Sequence, residues 1–323
     1  MRPIDDIQRC YGCEACANAC PEGAIAMRDN REGFLEPVVD GRKCTECGAC
    51  RRVCQVTSGA ERAESLAAPR CFAARVVDPD RLADSASGGL FPLLAEQVLF
   101  AGGVVYGAAF DENMSLRHVR INSKEGLPLA RGSKYIQSRM GDACPQAKED
   151  LEAGRQVLFT GTPCQTMGLR CFLGQDTPGL ILVDLVCYGV PSPWMWRRHV
   201  AYLQRRHHGK LSAFVFRDKR GQDNGHTVSY VAGGREYARP LGQDRFCRLY
   251  FRNFMLRPAC YRCPYASPRR VSDITLGDFW GVGMVFPWLD DGRGCSLLIL
   301  RGEKAEGLWA RASAQVLSFP CET

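Results

Sequence analysis

Histidine is scarce in this chain, at 5 of 323 residues. His118 lies in an alternating, strand-like segment, His207 and His208 at the end of a basic helix, and His226 beside a strand. None stands in a ligand constellation, and each reads as a surface side chain. Long apolar runs are missing as well. The longest apolar segment, around residues 90–110, is broken by Glu96, Gln97, Gly102 and Gly103. A membrane helix needs about 20 consecutive apolar residues, so no membrane span is expected. The opening MRPIDDIQRC contains no apolar h-region, and no signal peptide is read from it. A reducing, cytoplasmic compartment is the expectation. The net charge of +7 comes without a nucleic-acid recognition motif, so nucleic acid is not expected as a partner. Arginine pairs at Arg197–Arg198, Arg205–Arg206 and Arg269–Arg270 read as a solvated basic face, or as a docking surface for an acidic electron carrier.

Cysteine, in contrast, is abundant: the chain has 18. Eight of them form two near copies, CYGCEACANACP at 10–21 and CTECGACRRVC at 44–54, each spaced C-x2-C-x2-C-x3-C. Iron–sulfur clusters are held by thiolates. In two-cluster ferredoxins three closely spaced cysteines wrap one cubane and the fourth reaches the other. Cys10, Cys13, Cys16 and Cys54 are then expected to hold one 4Fe–4S cluster, and Cys44, Cys47, Cys50 and Cys20 the other. The first copy ends in the usual proline, Pro21, whereas the second has Gln55. Zinc uses pairs of cysteines and leaves four per copy unexplained. A disulfide framework belongs to small secreted chains.

Residues 1–57 read as this ferredoxin module, with a strand, a turn and a strand between its copies. Residues 58–69, SGAERAESLAAP, read as a linker to a second domain at 70–323. In that domain strand and helix patterns alternate. Helices are predicted over 90–103, 142–154, 163–174, 193–209, about 243–256 and 303–312. Strands are predicted over 104–110, 116–121, 156–161, 179–187, SAFVFRD, HTVSYV, DITLGDF and CSLLIL. The expected class is α/β. Cys260 and Cys263 form a further C-x2-C before proline, and Cys164 and Cys187 stand at strand ends, where open α/β sheets build their sites. Cys71, Cys144, Cys171, Cys247, Cys295 and Cys321 read as small buried hydrophobes.

The motifs SASGGLF, RGSKYIQS, GTPCQTMGLRCFLG, VDLVCYGVPSP, FRDK, RPACYRCPY and SDITLGDFWG follow one another between residues 85 and 281. Together they resemble the coenzyme F420 hydrogenase/dehydrogenase beta-subunit family over roughly residues 70–301. The resemblance implies a mixed α/β flavin-binding domain behind a bacterial-type dicluster ferredoxin module. It implies FAD as cofactor and a third 4Fe–4S cluster on Cys164, Cys187, Cys260 and Cys263. The chain departs from the family at Tyr188, where many relatives have histidine, and after FRDK, where RGQDNGH follows.

A flavin needs donors for its pyrophosphate, dipoles near its ring and shelter from water. Ser87, Gly88 and Gly89, leading into a helix, can offer N–H groups to phosphate, or simply cap that helix. Lys134 can neutralise phosphate or the reduced ring, and Tyr135, Gln137 and Ser138 stand beside it. Thr160, Gly161, Thr162 and Pro163 join a strand end to a helix start, a place suited to an anion. Asp278 can orient flavin or substrate, or cap its turn. The expected activity is an oxidoreductase that moves electrons between clusters and FAD. Hydride passes to or from a small organic molecule, and ferredoxin or another redox protein is the partner. The alternative is a relay subunit of a larger redox complex.

Overall fold

The computed structural model describes residues 4, 9–62, 68–174, 176–220, 226–268 and 270–322. Residues 63–67 of the expected linker, residues 221–225 of RGQDNGH, and Arg269 lie outside the described residues. The ferredoxin module is two short helices, α1 (Ala15–Asn18) and α2 (Ala49–Arg52), each inside a cysteine repeat. Between them stands an antiparallel hairpin of β1 (Ile25–Asp29) and β2 (Leu35–Val39).

The large domain is built on an eight-stranded sheet. Its strands are β3 (Arg70–Val76), β4 (Val104–Phe110), β5 (Leu116–Ile121), β6 (Val157–Gly161), β7 (Leu180–Leu185), β11 (Ile274–Asp278), β12 (Ser296–Leu300) and β13 (Val316–Cys321). Their order is β13-β3-β12-β11-β7-β6-β4-β5. The centre, β11-β7-β6-β4, is parallel, and antiparallel strands flank it on both sides. Helices α4 (Leu90–Phe100) and α11 (Gly302–Ala312) cover one face. Helices α6 (Ala143–Glu152) and α7 (Pro163–Leu173) cover the other.

Strand alternation explains this layering. In β6, Leu158 packs under α4 while Val157 and Phe159 pack under α6 and α7. In β7, Ile181 and Val183 divide from Leu180 and Leu182 in the same way. A strand buried on both faces must be apolar at every position, and that is how LILV reads. Each such side chain, fully buried, contributes about 1.5–3 kcal/mol.

A second, three-stranded antiparallel sheet of β8 (Leu211–Asp218), β9 (Thr227–Ala232) and β10 (Arg235–Pro240) has its own core with α8 (Pro193–Arg206) and α9 (Arg245–Phe251). Short helices α3 (Pro79–Ala83), α5 (Leu127–Ala130) and α10 (Val282–Val285) complete the domain. Strands β3, β10 and β13 have no counterpart in the sequence reading, and α9 is shorter than the 243–256 expected. Among the described residues no helix is long and apolar enough to cross a membrane.

Two surface readings are corrected. His118 sits on the buried face of β5, with its ring stacked on Phe159 at 5.1 Å. Arg270 is buried and pairs with buried Asp184 at 3.2 Å, so it belongs to no basic face.

Candidate functional site

The ferredoxin thiols ring two cavities. One, of about 350 Å³, is lined by Cys10, Cys13, Cys16 and Cys54. The other, of about 380 Å³, is lined by Cys20, Cys44, Cys47 and Cys50. Both volumes include space open to solvent. Each cavity takes three cysteines from one repeat and the fourth from the other. Among the described residues no three His, Cys, Asp or Glu side chains converge to hold a single ion. Thiols spread around a cavity suit a multi-iron cubane, whose ligands bind different irons. Burial pushes the Cys13 thiol up to about 12. Such a thiol gives up its proton to a metal rather than to water.

A third group forms where α7 starts, where β7 ends and at CYRCP. The Cys164 thiol senses Cys187 and Cys260 as neighbours, and Cys187 senses Cys260 and Cys263. Burial drives Cys164 well above the usual thiol range and Cys187 up to about 12. Local sequence places Cys164. Thr162 caps α7, its backbone N–H donating to Gln165 Oε1 at 3.1 Å, and Pro163 occupies the first helical position. The Thr162 hydroxyl lies 3.2 Å from Cys164 Sγ.

Gln55 joins this group to the ferredoxin module. It is 1% exposed, directly follows Cys54, and donates from Nε2 to the Cys164 carbonyl at 2.9 Å. Its Oε1 accepts a short hydrogen bond from the Tyr265 hydroxyl. Proline, usual at this position, has no side-chain amide to make either bond. Gln55→Ala would leave the buried Tyr265 hydroxyl unpaired, at about 1–3 kcal/mol, and remove the side-chain tie to the Cys164 carbonyl. The expected result is a lowered melting temperature for the cluster-loaded protein. An unchanged melting curve would show that the bridge contributes nothing.

The predicted flavin residues divide into two sets. Tyr135 meets Arg217 and Asp278, and Lys134 directly precedes it. Lys134 donates to the Arg131 carbonyl at 2.6 Å, and burial lowers its pKa to about 8. Arg217 pairs with Asp278 at 2.8 Å and lies 5.3 Å from the Trp280 ring centre. Lys219, the last residue of FRDK and not among the predicted flavin residues, donates to the carbonyls of Ser87 and Arg293, both at 2.6 Å. Burial, with Arg217 nearby, lowers its pKa to about 8 too. A row of rings, Tyr188 to Tyr250 at 5.4 Å and Tyr250 to Tyr135 at 5.2 Å, leads from beside Cys187 to the side chains of Arg217 and Asp278.

The other set works inside the protein. The Gly88 N–H donates to Ser296 Oγ at 2.9 Å, and Ser87 Oγ donates to the Cys295 carbonyl at 3.2 Å. A Cβ at Gly88 would fall 2.4 Å from the Ala74 carbonyl oxygen, so sheet packing alone requires that glycine. Gly89, with φ of 79°, caps α4. Gln137 donates to the Tyr11 and Gly12 carbonyls at 3.0 and 3.3 Å. Ser138 and Thr160 are held by His118. Burial lowers its pKa to about 4, so the ring is neutral. Nε2–H donates to the Thr160 carbonyl at 2.9 Å, and Nδ1 accepts from Ser138 Oγ at 2.8 Å. Gly161 leaves room for that ring, since a Cβ there would fall 3.3 Å from Nε2.

Residues 154–319, just over half of the chain, match the family model for the C terminus of the coenzyme F420 hydrogenase/dehydrogenase beta subunit. Residues 9–58 match that of the 4Fe–4S dicluster domain. No curated protein matches. A chain in a xenon-derivatised structure of the F420-reducing NiFe hydrogenase complex from Methanosarcina barkeri superposes with a TM-score of 0.51 at 18% identity, over 80% of this chain and 84% of that one. That likeness concerns the fold. The family match contains all four cysteines of the third group. With a 4Fe–4S dicluster domain in front, this chain belongs to the coenzyme F420 hydrogenase/dehydrogenase beta-subunit family.

Proposed function

We propose that this chain is an iron–sulfur flavoprotein oxidoreductase that works within a redox complex. Cys10, Cys13, Cys16 and Cys54 hold an inner 4Fe–4S cluster. Cys20, Cys44, Cys47 and Cys50 hold an outer one, and Cys164, Cys187, Cys260 and Cys263 a third. FAD lies in the cleft of Lys134, Tyr135, Arg217, Lys219 and Asp278. When bound, the clusters supply one-electron transfer, and FAD exchanges single electrons for a hydride given to, or taken from, a small organic partner. The observation that carries this reading is the Gln55 bridge, which runs from a residue beside Cys54 to the backbone of Cys164.

The protein's own groups fit these roles. The ammonium groups of Lys134 and Lys219 have carbonyl and hydroxyl partners but no carboxylate at ion-pair distance among the described residues. An anionic pyrophosphate would complete both. Tyr188 and Trp280, 50% and 66% exposed, offer ring faces at the cleft. Asp278 orients Arg217. Similarity to a chain of a multi-subunit hydrogenase complex supports assembly into a redox complex. It also favours a second reading, in which a partner protein owns the chemistry. Turnover by the isolated, viologen-reduced protein with FAD and coenzyme F420 separates the two readings.

Lys134→Ala tests the flavin site. A charge-assisted contact is worth about 1.5–3 kcal/mol, so FAD affinity should fall by roughly 10- to 150-fold. In the unliganded protein both ammonium groups are charged below about pH 8 and lose their protons above it. Bound phosphate favours the charged form. FAD affinity should therefore be greatest below pH 8 and decline as pH rises through it. Wild-type affinity with the wild-type pH dependence in Lys134→Ala would remove Lys134 from the site.

A further inference from the structure

Arg257 heads the fully buried side chains by size, at 1% exposure. Its guanidinium donates to the Cys10 carbonyl at 3.0 Å and the Leu35 carbonyl at 3.2 Å. It also donates to Gln137 Oε1, from Nη2 at 2.8 Å and from Nε at 3.2 Å. The Phe34 ring centre lies 4.9 Å from its Cζ. All these partners are neutral, and no carboxylate pairs with Arg257 among the described residues. A buried charge without a countercharge is strongly disfavoured, so the guanidinium calls for a negative partner.

Its position says what that partner is. Arg257 touches the backbone of Cys10 and stands three residues before Cys260. The Cys260 N–H donates to the Arg257 carbonyl at 2.8 Å, and the Arg257 N–H donates to the Val190 carbonyl, three residues past Cys187, at 2.8 Å. A 4Fe–4S core on four thiolates is net negative in both redox states, and more so when reduced. We infer that Arg257 is the fixed countercharge shared by the inner ferredoxin cluster and the third cluster, positioned by Gln137, and that it raises the reduction potentials of both. The inference rests on the cluster assignments proposed above.

Gln137 is a positioning residue here. Its Nε2 holds the Tyr11 and Gly12 carbonyls while its Oε1 holds the guanidinium. A Cβ at Gly12 would fall 2.6 Å from both Arg257 Nη2 and Gln137 Nε2, so the cysteine loop lies directly on the pair. An amide serves at this position where a carboxylate would not. Glutamate would cancel the guanidinium's charge and face two carbonyl oxygens.

Potentiometric titration of the reconstituted full chain, followed by EPR and with iron content measured alongside, tests the idea. In Arg257→Gln the inner and third clusters should each become about tenfold harder to reduce, a fall of about 59 mV for one electron. The outer cluster, on Cys20, Cys44, Cys47 and Cys50, should not move. Arg257→Lys, which keeps the charge but not the fork, should stay near wild type. Gln137→Glu should lower the same two potentials with Arg257 in place. Full iron with unmoved potentials in Arg257→Gln or Gln137→Glu overturns the inference and leaves the cluster reading intact. Loss of iron in Arg257→Gln and Arg257→Lys alike, with unmoved potentials in Gln137→Glu, makes the fork a structural tie and also overturns it. Wild-type protein that takes up no iron refutes the cluster reading itself.

Discussion

Cys260→Ser is expected to take about four of roughly twelve iron atoms from the reconstituted protein, one cubane of three. The N-terminal clusters should still bleach with dithionite. Their electrons should no longer reach FAD. Even changes outside the direct ligand shell of a metal typically cost 10–100-fold, so loss of a ligand should slow flavin reduction by more than about 100-fold. The expectation rests on proximity: the Cys260 thiol bears on those of Cys164 and Cys187, and a Cβ at Gly189, two residues past Cys187, would fall 3.4 Å from the Cys260 Cβ. Gln55 ties that group to Cys54, so the variant interrupts a path and leaves the ferredoxin cavities alone. Stopped-flow reduction and iron analysis read the two effects separately. If iron and rate both match wild type, Cys260 is a packing residue.

Gly168→Val should have a comparably large effect at a position with no chemistry of its own. Gly168 lies mid-helix in α7, where glycine costs about 1 kcal/mol relative to alanine. The reason for accepting that cost is Cys13. A Cβ at residue 168 would fall 2.8 Å from Cys13 Cβ and 3.0 Å from its Sγ. The neighbour that must yield is a short, half-buried side chain on the cavity wall, not the end of a flexible chain. Overpacking of this kind costs about 1–3 kcal/mol, and here it falls on the inner cysteine group. The variant should lose the inner cluster's iron and open the ferredoxin module to proteolysis. A fully loaded, protease-resistant Gly168→Val would show that α7 and the Cys13 loop can slide apart at little cost.

The module and the large domain are joined by charge as well as by packing. Glu14 is buried and accepts from Arg139 at 2.9 Å and from the Met140 N–H at 2.9 Å. Asn18 donates to the Gly141 carbonyl at 2.9 Å. Glu61, within the stretch expected to be a linker, is buried against Tyr11 at 2.7 Å and pairs with Arg9. The burial of Glu61 is not legible in SGAERAESLAAP, because its partners lie 50 and 52 residues away. The alternation in LRHVRI was legible, but its polarity misled. His118 occupies an inward position, and its ring nitrogens are satisfied by Ser138 and Thr160 from other segments.

What the sequence determined by itself is what spacing can determine. C-x2-C-x2-C puts three thiols on one loop. Apolar runs of five or six residues between helical patterns make strands buried on both faces. Thr-Pro-Cys-Gln starts a helix with its own cap. These are contacts within a few residues, and chain geometry enforces them wherever the segment sits. Tertiary structure decided the rest. It brought Cys164, Cys187 and the CYRCP pair together from three segments. It turned Gln55 from a missing proline into a bridge, and it moved Gln137 from a flavin motif to the ferredoxin loop. It also buried Arg257 among neutral partners. Each of these depends on a partner far away in the chain, and the free energy of a buried polar group is set by that partner and not by its neighbours in sequence.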